Sequence, residues 1–166
     1  EKNQDWKWFD PEMTYDNGRL PMSLLIAYKQ TKNKMYLEIA IESLDFLTEI
    51  TFDNNKNYFS FPGNKGWFTK SGNRAKFDQQ PIEAGTMVEV YVLAYEVTKK
   101  KKYKELAKTA LDWYYGKNIL GIDVINGKTG GIYDGLEGKK INQNQGAESV
   151  LSYLLAVKDI EKLDLI

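Results

Sequence analysis

The chain has 166 residues, 42% of them hydrophobic and 13% aromatic, and its 23 basic side chains balance 23 acidic ones. Those totals fit one domain with a real core, and the neutral balance argues against nucleic acid or an anionic membrane surface as partner. Cysteine and histidine are both absent, which excludes disulfides, thiolates and imidazole chemistry and leaves Asp, Glu, Tyr, Lys or Arg for any catalysis.

No apolar run approaches a membrane span, and Glu1 begins no signal-like segment. The lack of cysteine is read as cytoplasmic. The missing initiator Met points to a processed or truncated chain, so residues 1–166 are read as one domain forming the C-terminal part of a longer protein.

In chain order, Glu1 to Tyr15 reads as an irregular opening segment carrying Trp6, Trp8, Phe9 and Tyr15, broken by Pro11. Tyr15-Asp16-Asn17-Gly18-Arg19-Leu20-Pro21 then leads into an apolar helix, with Asp16 or Asn17 as its cap and Pro21 in its first turn. Lys34 to Ile50 follows as a one-sided helix. Thr51 to Ala75 is rich in Asn, Gly and aromatics and predicts short strands or a long loop, a length usually functional inside a compact domain.

Lys76 to Gly85 puts Asp78, Gln79, Gln80 and Glu83 at the entrance of a third helix that is apolar on nearly every side to about Thr98. Lys101 to Tyr115 gives a second one-sided helix. After a loop with Gly130-Gly131-Ile132-Tyr133-Asp134-Gly135, a last helix starts near Gln145 and is expected to bury Ala147, Val150, Leu151, Leu154 and Leu155.

An internal repeat orders these pieces. Ala27 to Leu47 aligns without gaps on Ala94 to Tyr114, an offset of 67 residues (94 − 27), with ten identities in 21 positions. The unit is a helical hairpin, a buried helix followed by a one-sided one, and Gln145 opens a third copy. Buried helices alternating with one-sided helices describe two concentric layers, and the long loops before only the buried helices place all three polar mouths at one end. That is the logic of an all-α, α/α toroid of repeated hairpins, with a plain antiparallel bundle as the competing architecture.

The motifs also look familiar. Trp6-x-Trp8-Phe9, Tyr15-Asp16-Asn17-x-Arg19-x-Pro21, Phe77-Asp78-Gln79-Gln80-Pro81-Ile82-Glu83-Ala84, Gly130-Gly131-x-Tyr133-Asp134-Gly135 and Asn142-x-Asn144-Gln145-Gly146-Ala147-Glu148-Ser149 recur in this order in a helical region. That region resembles the (α/α)6 toroid of six-hairpin glycosidases and is found at the C-terminal end of proteins labelled glycosyltransferases. The resemblance covers nearly the whole chain, which supplies about half of such a toroid. It implies a saccharide ligand, no cofactor, and either the preceding part of the same protein or a second copy of the chain as partner. The sugar 2-epimerases of the wider toroid class rely on histidine, so its absence argues against that activity.

Glycoside cleavage needs two carboxyl groups flanking the bond. The catalytic candidates at the shared end are Asp16, Asp78, Glu83 and Glu148. Arg19, Gln79, Gln80, Trp67, Tyr133, Asp134, Asn144 and Gln145 are the substrate-binding candidates, since amides both donate to and accept from hydroxyls and aromatic rings stack on a pyranose face. Each has a plainer explanation beside it: Asp78 as a helix cap, Glu83 as a dipole-stabilised first-turn acid, Asn144 to Glu148 as a capping box, and the aromatics as core. Metal binding is possible only through oxygen ligands, and no stretch has the spacing of a calcium loop, so none is assigned. The alternative function is a non-catalytic glycan-binding or oligomerisation domain attached to a transferase.

Overall fold

The computed structural model describes residues 6–164; the first five residues of the opening segment lie outside it. Five helices carry the fold: α1 (Arg19–Thr31), α2 (Lys34–Thr51), α3 (Pro81–Thr98), α4 (Lys101–Leu111) and α5 (Ala147–Asp164). α3 is the axis. It packs against α1 on one side and α5 on the other, while α2 backs α1 and α4 backs α3. The two layers read from the sequence are therefore present, with α1, α3 and α5 inside.

α3 has no polar face because it has neighbours on every side. Ala84, Met87, Val88, Val90, Tyr91 and Ala94 are all fully buried. Eighteen residues of helix span about 27 Å, and Pro81 at the first position starts it with a preset φ and no donor to lose. α4 is the contrasting case, since only Tyr103, Ala107 and Ala110 are buried and its other residues are half-buried or exposed.

The repeat extends to individual atoms. Lys32 and Lys99 close α1 and α3 in left-handed conformations (φ 59° and 58°). Their amides donate to Tyr28 O and Tyr95 O at 2.8 Å in both copies. Thr31 and Thr98 bond back to Ala27 O and Ala94 O, and each hydroxyl then accepts the amide two residues on at 3.2 Å. Identical side chains at these positions thus build identical turns.

The segment between α2 and α3 is held by three two-residue strands and by aromatics turned inward. β1 (Glu12–Met13) pairs antiparallel with β4 (Phe68–Thr69), and β2 (Phe52–Asp53) pairs with β3 (Tyr58–Phe59). Phe59 stacks on Phe61 and leans on Tyr91, while Phe61 meets Trp113. β5 (Gly135–Glu137) and β6 (Lys140–Asn142) form the hairpin before α5.

Three expectations change. α4 ends at Leu111 and tightens into a 3-10 turn at Asp112–Tyr114, short of Tyr115. α5 begins at Ala147 and leaves Leu151, Leu154 and Leu155 58%, 54% and 42% exposed; its buried side is Ser149, Ser152, Ala156 and Leu163. An apolar run reads as a core stripe, but α5 is covered mainly where it meets α3, with α4 beside it. α1 shows the same openness at Leu20 and Ile26, as the two flanks of an arc must. Among the described residues no helix is long and apolar enough to cross a membrane.

The inner layer packs tightly where α3 meets α5. A Cβ added to Gly85 falls 2.8 Å from the Ser152 carbonyl oxygen, whereas one at Gly127 meets nothing. Gly85→Ala is expected to cost about 1–3 kcal/mol in urea denaturation, with Gly127→Ala near neutral. Equal stabilities for the two variants would contradict this packing.

Candidate functional site

The three inner helices present their N-termini at one end, and hydrogen bonds join the mouths in sequence order. Mouth one is built on a strained turn. Asp16 sits at φ 52°, a conformation Asp tolerates better than most residues, and its carbonyl accepts the Arg19 amide at 3.1 Å. Gly18 is the residue that caps α1, with no side-chain bond, so neither Asp16 nor Asn17 caps it as expected. Both side chains are used elsewhere.

The Asp16 amide donates to Glu83 Oε1, and Asn17 Nδ2 donates to Glu83 Oε2 at 3.3 Å and to Thr14 O at 3.2 Å. Glu83 is 2% exposed in the first turn of α3. Burial pushes its carboxyl up to about 8, against the pull of the bonds from Asn17 and the Asp16 amide, and the nearby Asp16 charge adds to the rise. Glu83 is thus a clasp buried beneath mouth one, in a setting that favours its neutral form.

Asp16 itself stands over this clasp. Its Oδ1 accepts from Thr86 of α3 and its Oδ2 from Arg19 Nε at 3.2 Å. Arg19 then forks onto Glu89, Nη1 to Oε2 at 3.0 Å and Nη2 to Oε1 at 3.2 Å. Burial works against the Arg19 charge, but Glu89 and Asp16 outweigh it and raise the guanidinium above its ordinary value. Burial also raises Glu89, with Arg19 opposing. Glu89 and Thr86 are partners that the sequence reading did not name. The one signal for Glu89 was a charge inside the apolar run Met87 to Val90.

Beside this network lies a cavity of about 300 Å³. Trp8, Asp10, Glu12, Tyr15, Asp16 and Arg19 are among its walls. Three carboxylates against one guanidinium make it acidic.

The middle mouth also turns on a strained aspartate. Asp78, at φ 63°, does not cap α3; Gln80 holds that position through its backbone. The Asp78 carboxylate faces Lys65 at 3.6 Å, and its amide donates to Leu136 O at 2.8 Å. Gln79 is fully buried, its Oε1 accepting the Phe61 amide at 2.9 Å and its Nε2 donating to Ser60 Oγ and Lys76 O. Its side chain is turned into the protein and holds the loop. Gln80 and Trp67 are half-buried, and Trp67 adopts φ 47°.

Mouth three is organised by Asp134. Its Oδ1 accepts Gly146 N at 2.7 Å and Ser149 Oγ at 2.6 Å, and its Oδ2 accepts Asn144 Nδ2. Partial burial raises this carboxyl, but those three donors outweigh it and hold the group below its ordinary value. Asp134 therefore caps α5 from outside the helix, and Asn144 serves it. Gln145 accepts from Thr129 at 2.9 Å, Tyr133 is half-buried, and Glu148 is exposed with no capping-box bond. Asp134 thus fixes the start of α5 through three donors while staying partly open to solvent.

The mouths are linked, since Asp16 and Asn17 reach Glu83, Asp78 and Gln79 reach Leu136, and Asp134 reaches α5. The space at mouth one is separate from a groove of about 550 Å³ along Glu137 and residues 140–143. Among the described residues no cluster of three metal-ligating side chains occurs.

No family model and no curated protein matches the chain. Solved structures do. A family 76 α-mannanase of Bacteroides thetaiotaomicron superposes with a TM-score of 0.67 at 20% identity, over 90% of this chain and 35% of that one. A family 76 glycoside hydrolase (mannosidase) of the same species gives 0.71 at 17% identity, over 93% of this chain and 40% of the other. A D-mannose isomerase gives 0.70 at 17% identity, over 98% and 40%. The chain spans about two-fifths of the length of these structures. At such identities the likeness shows the fold, a glycosidase-like α/α toroid, in place of the bundle.

Glu83 gives a stability prediction. A carboxyl whose folded pKa is about 8 lies above its unfolded value, so the folded state holds the extra proton. Stability is then greatest below the ordinary carboxylate range and falls as pH rises toward 8. Glu83→Gln should flatten that decline in urea denaturation between about pH 5 and 8. A wild-type profile without a decline, or one unchanged by the substitution, would count against a neutral Glu83.

Proposed function

We propose that the mouth end of this arc belongs to a carbohydrate-active toroid and binds a neutral saccharide in the acidic cavity at mouth one. The observation that carries this is backbone strain. Six non-glycine residues among those described have positive φ: Lys32 and Lys99 end helices and Asn57 turns the β2–β3 hairpin, leaving Asp16, Trp67 and Asp78. All three surround the mouths, and strain of this kind concentrates where geometry serves function. A cavity of about 300 Å³ is also large enough for a sugar ring. Its acidic side chains offer acceptors to hydroxyls, its Arg19 offers donors, and Tyr15, half-exposed, offers an aromatic face.

The superposed proteins are named for mannan, mannoside and mannose chemistry, which makes mannose the first sugar to try. For bond cleavage the candidates narrow to Asp16, Asp78 and Glu148, since Glu83 is buried and Asp134 already accepts three donors. Cleavage would require Asp16 to work with a second acid across the bond, and the rest of the toroid is a natural source of one. A binding module that lacks turnover is the second reading, favoured by those same two commitments.

Calorimetry with mannose and manno-oligosaccharides, alongside hydrolysis of a chromogenic α-mannoside, tests both. Asp16→Asn should weaken binding about 10-fold or more, the loss of a charged hydrogen bond, while leaving the fold intact. Turnover lost in Asp16→Asn together with Asp78→Asn or Glu148→Gln would mark an enzyme. Binding unchanged in Asp16→Asn, or no binding of any saccharide, would sink the proposal.

A further inference from the structure

A second concavity at the same end has the opposite charge. The α2 C-terminus, the β2–β3 hairpin and residues 74–76 enclose about 330 Å³, closed on one side by Ile119. Lys56, Arg74 and Lys76 line it, against the single lining carboxylate of Asp53. Asp53 is already occupied, its Oδ1 accepting the amides of Asn55 and Lys56 at 3.0 and 3.1 Å. Among the described residues none of the three cations has an acid within 4 Å, although most other lysines near carboxylates here are paired.

Arg74 is the built part of this pocket. Its Nη1 donates to Ile50 O and to Ser60 O, the latter at 2.7 Å, which ties the end of α2 to the strand after it. Burial lowers the guanidinium below its ordinary value, with the Asp53 charge opposing. Among the described residues Nε and Nη2 have no protein acceptor, yet neither is a sealed, unsatisfied atom, a status that Trp113 Nε1 alone has there. The two donors are therefore open to solvent. A fixed, partly desolvated guanidinium with unused donors is the arrangement that recognises planar or tetrahedral oxyanions. Lys56 rests near the Tyr58 ring at 5.8 Å, which holds a second charge over the same space.

We propose that the pocket formed by Lys56, Arg74 and Lys76 binds a compact oxyanion, the phosphate or carboxylate group of a charged ligand. Nη1 keeps Arg74 in place, Nε and Nη2 address the anion, and the two ammonium groups supply charge from separate segments. The site is on the outer side of the rim, behind β3 where it meets α4, and shares no lining residue with the acidic cavity at mouth one. It does not rest on the saccharide reading, and an anion would be repelled by that first cavity.

The test is a titration of the whole chain with inorganic phosphate at constant ionic strength, followed by amide chemical shifts. Saturable shifts at residues 53–60 and 74–76 are expected in the millimolar range or tighter. The double variant Lys56→Gln/Lys76→Gln, which alters only exposed groups, should weaken binding about 10-fold. Arg74→Lys should weaken it further, and thermal melts confirm that each variant is folded. Mannose 6-phosphate binding more tightly than phosphate would assign the pocket to a phosphorylated sugar, and glucuronate doing so would assign it to a uronic acid; either supports an oxyanion site. No saturable shift up to about 20 mM phosphate, or equal affinity in the folded double variant, would overturn the proposal.

Discussion

The mouth depends on one buried carboxyl. Glu83 enters from the first turn of the most buried helix and accepts the Asp16 amide together with the Asn17 side chain. Asp16 occupies a left-handed turn whose amide faces the protein rather than water. An unsatisfied donor there would cost about 1–3 kcal/mol, so the acceptor and the turn need each other. Burial penalises the charged form of Glu83, and the donors from Asp16 and Asn17 offset part of that penalty.

From that clasp the rest of the rim follows. Thr86 and Arg19 fix the Asp16 carboxylate, and Glu89 fixes Arg19, so α1 is bolted to α3 by residues spaced about one hairpin repeat apart. On the far side, Asp78 and Gln79 share backbone bonds with Leu136, and Asp134 grips the start of α5. Positional order at the rim is thus bought by polar groups, while α3 supplies the apolar mass behind them. Two adjoining concavities then differ in sign, one acidic beside Asp16 and one basic around Arg74.

The hairpin repeat was legible because equal side chains at equal spacing make equal turns, as the paired Lys32 and Lys99 caps show. The shared end of the mouths was legible for the same reason. Roles at the mouths were not. An acid, an amide and a helix start look the same in sequence whether they face a ligand or the core, and only burial separates Gln79 from Gln80 or Glu83 from Glu148. The exposure of Leu151, Leu154 and Leu155 escaped for a related reason, since an apolar pattern does not say how many neighbours a helix has. Arg74 carried no local signal at all, because its anchors lie 14 and 24 residues away.

The central claim is that a neutral Glu83 holds mouth one together. A carbon-13 titration of its side-chain carboxyl, with the Asp16 amide observed in parallel, reads that claim directly. The midpoint should fall near 8, with the Asp16 amide resonance moving in step. A midpoint in the ordinary carboxylate range near 4.5, with the Asp16 amide unmoved, would contradict it.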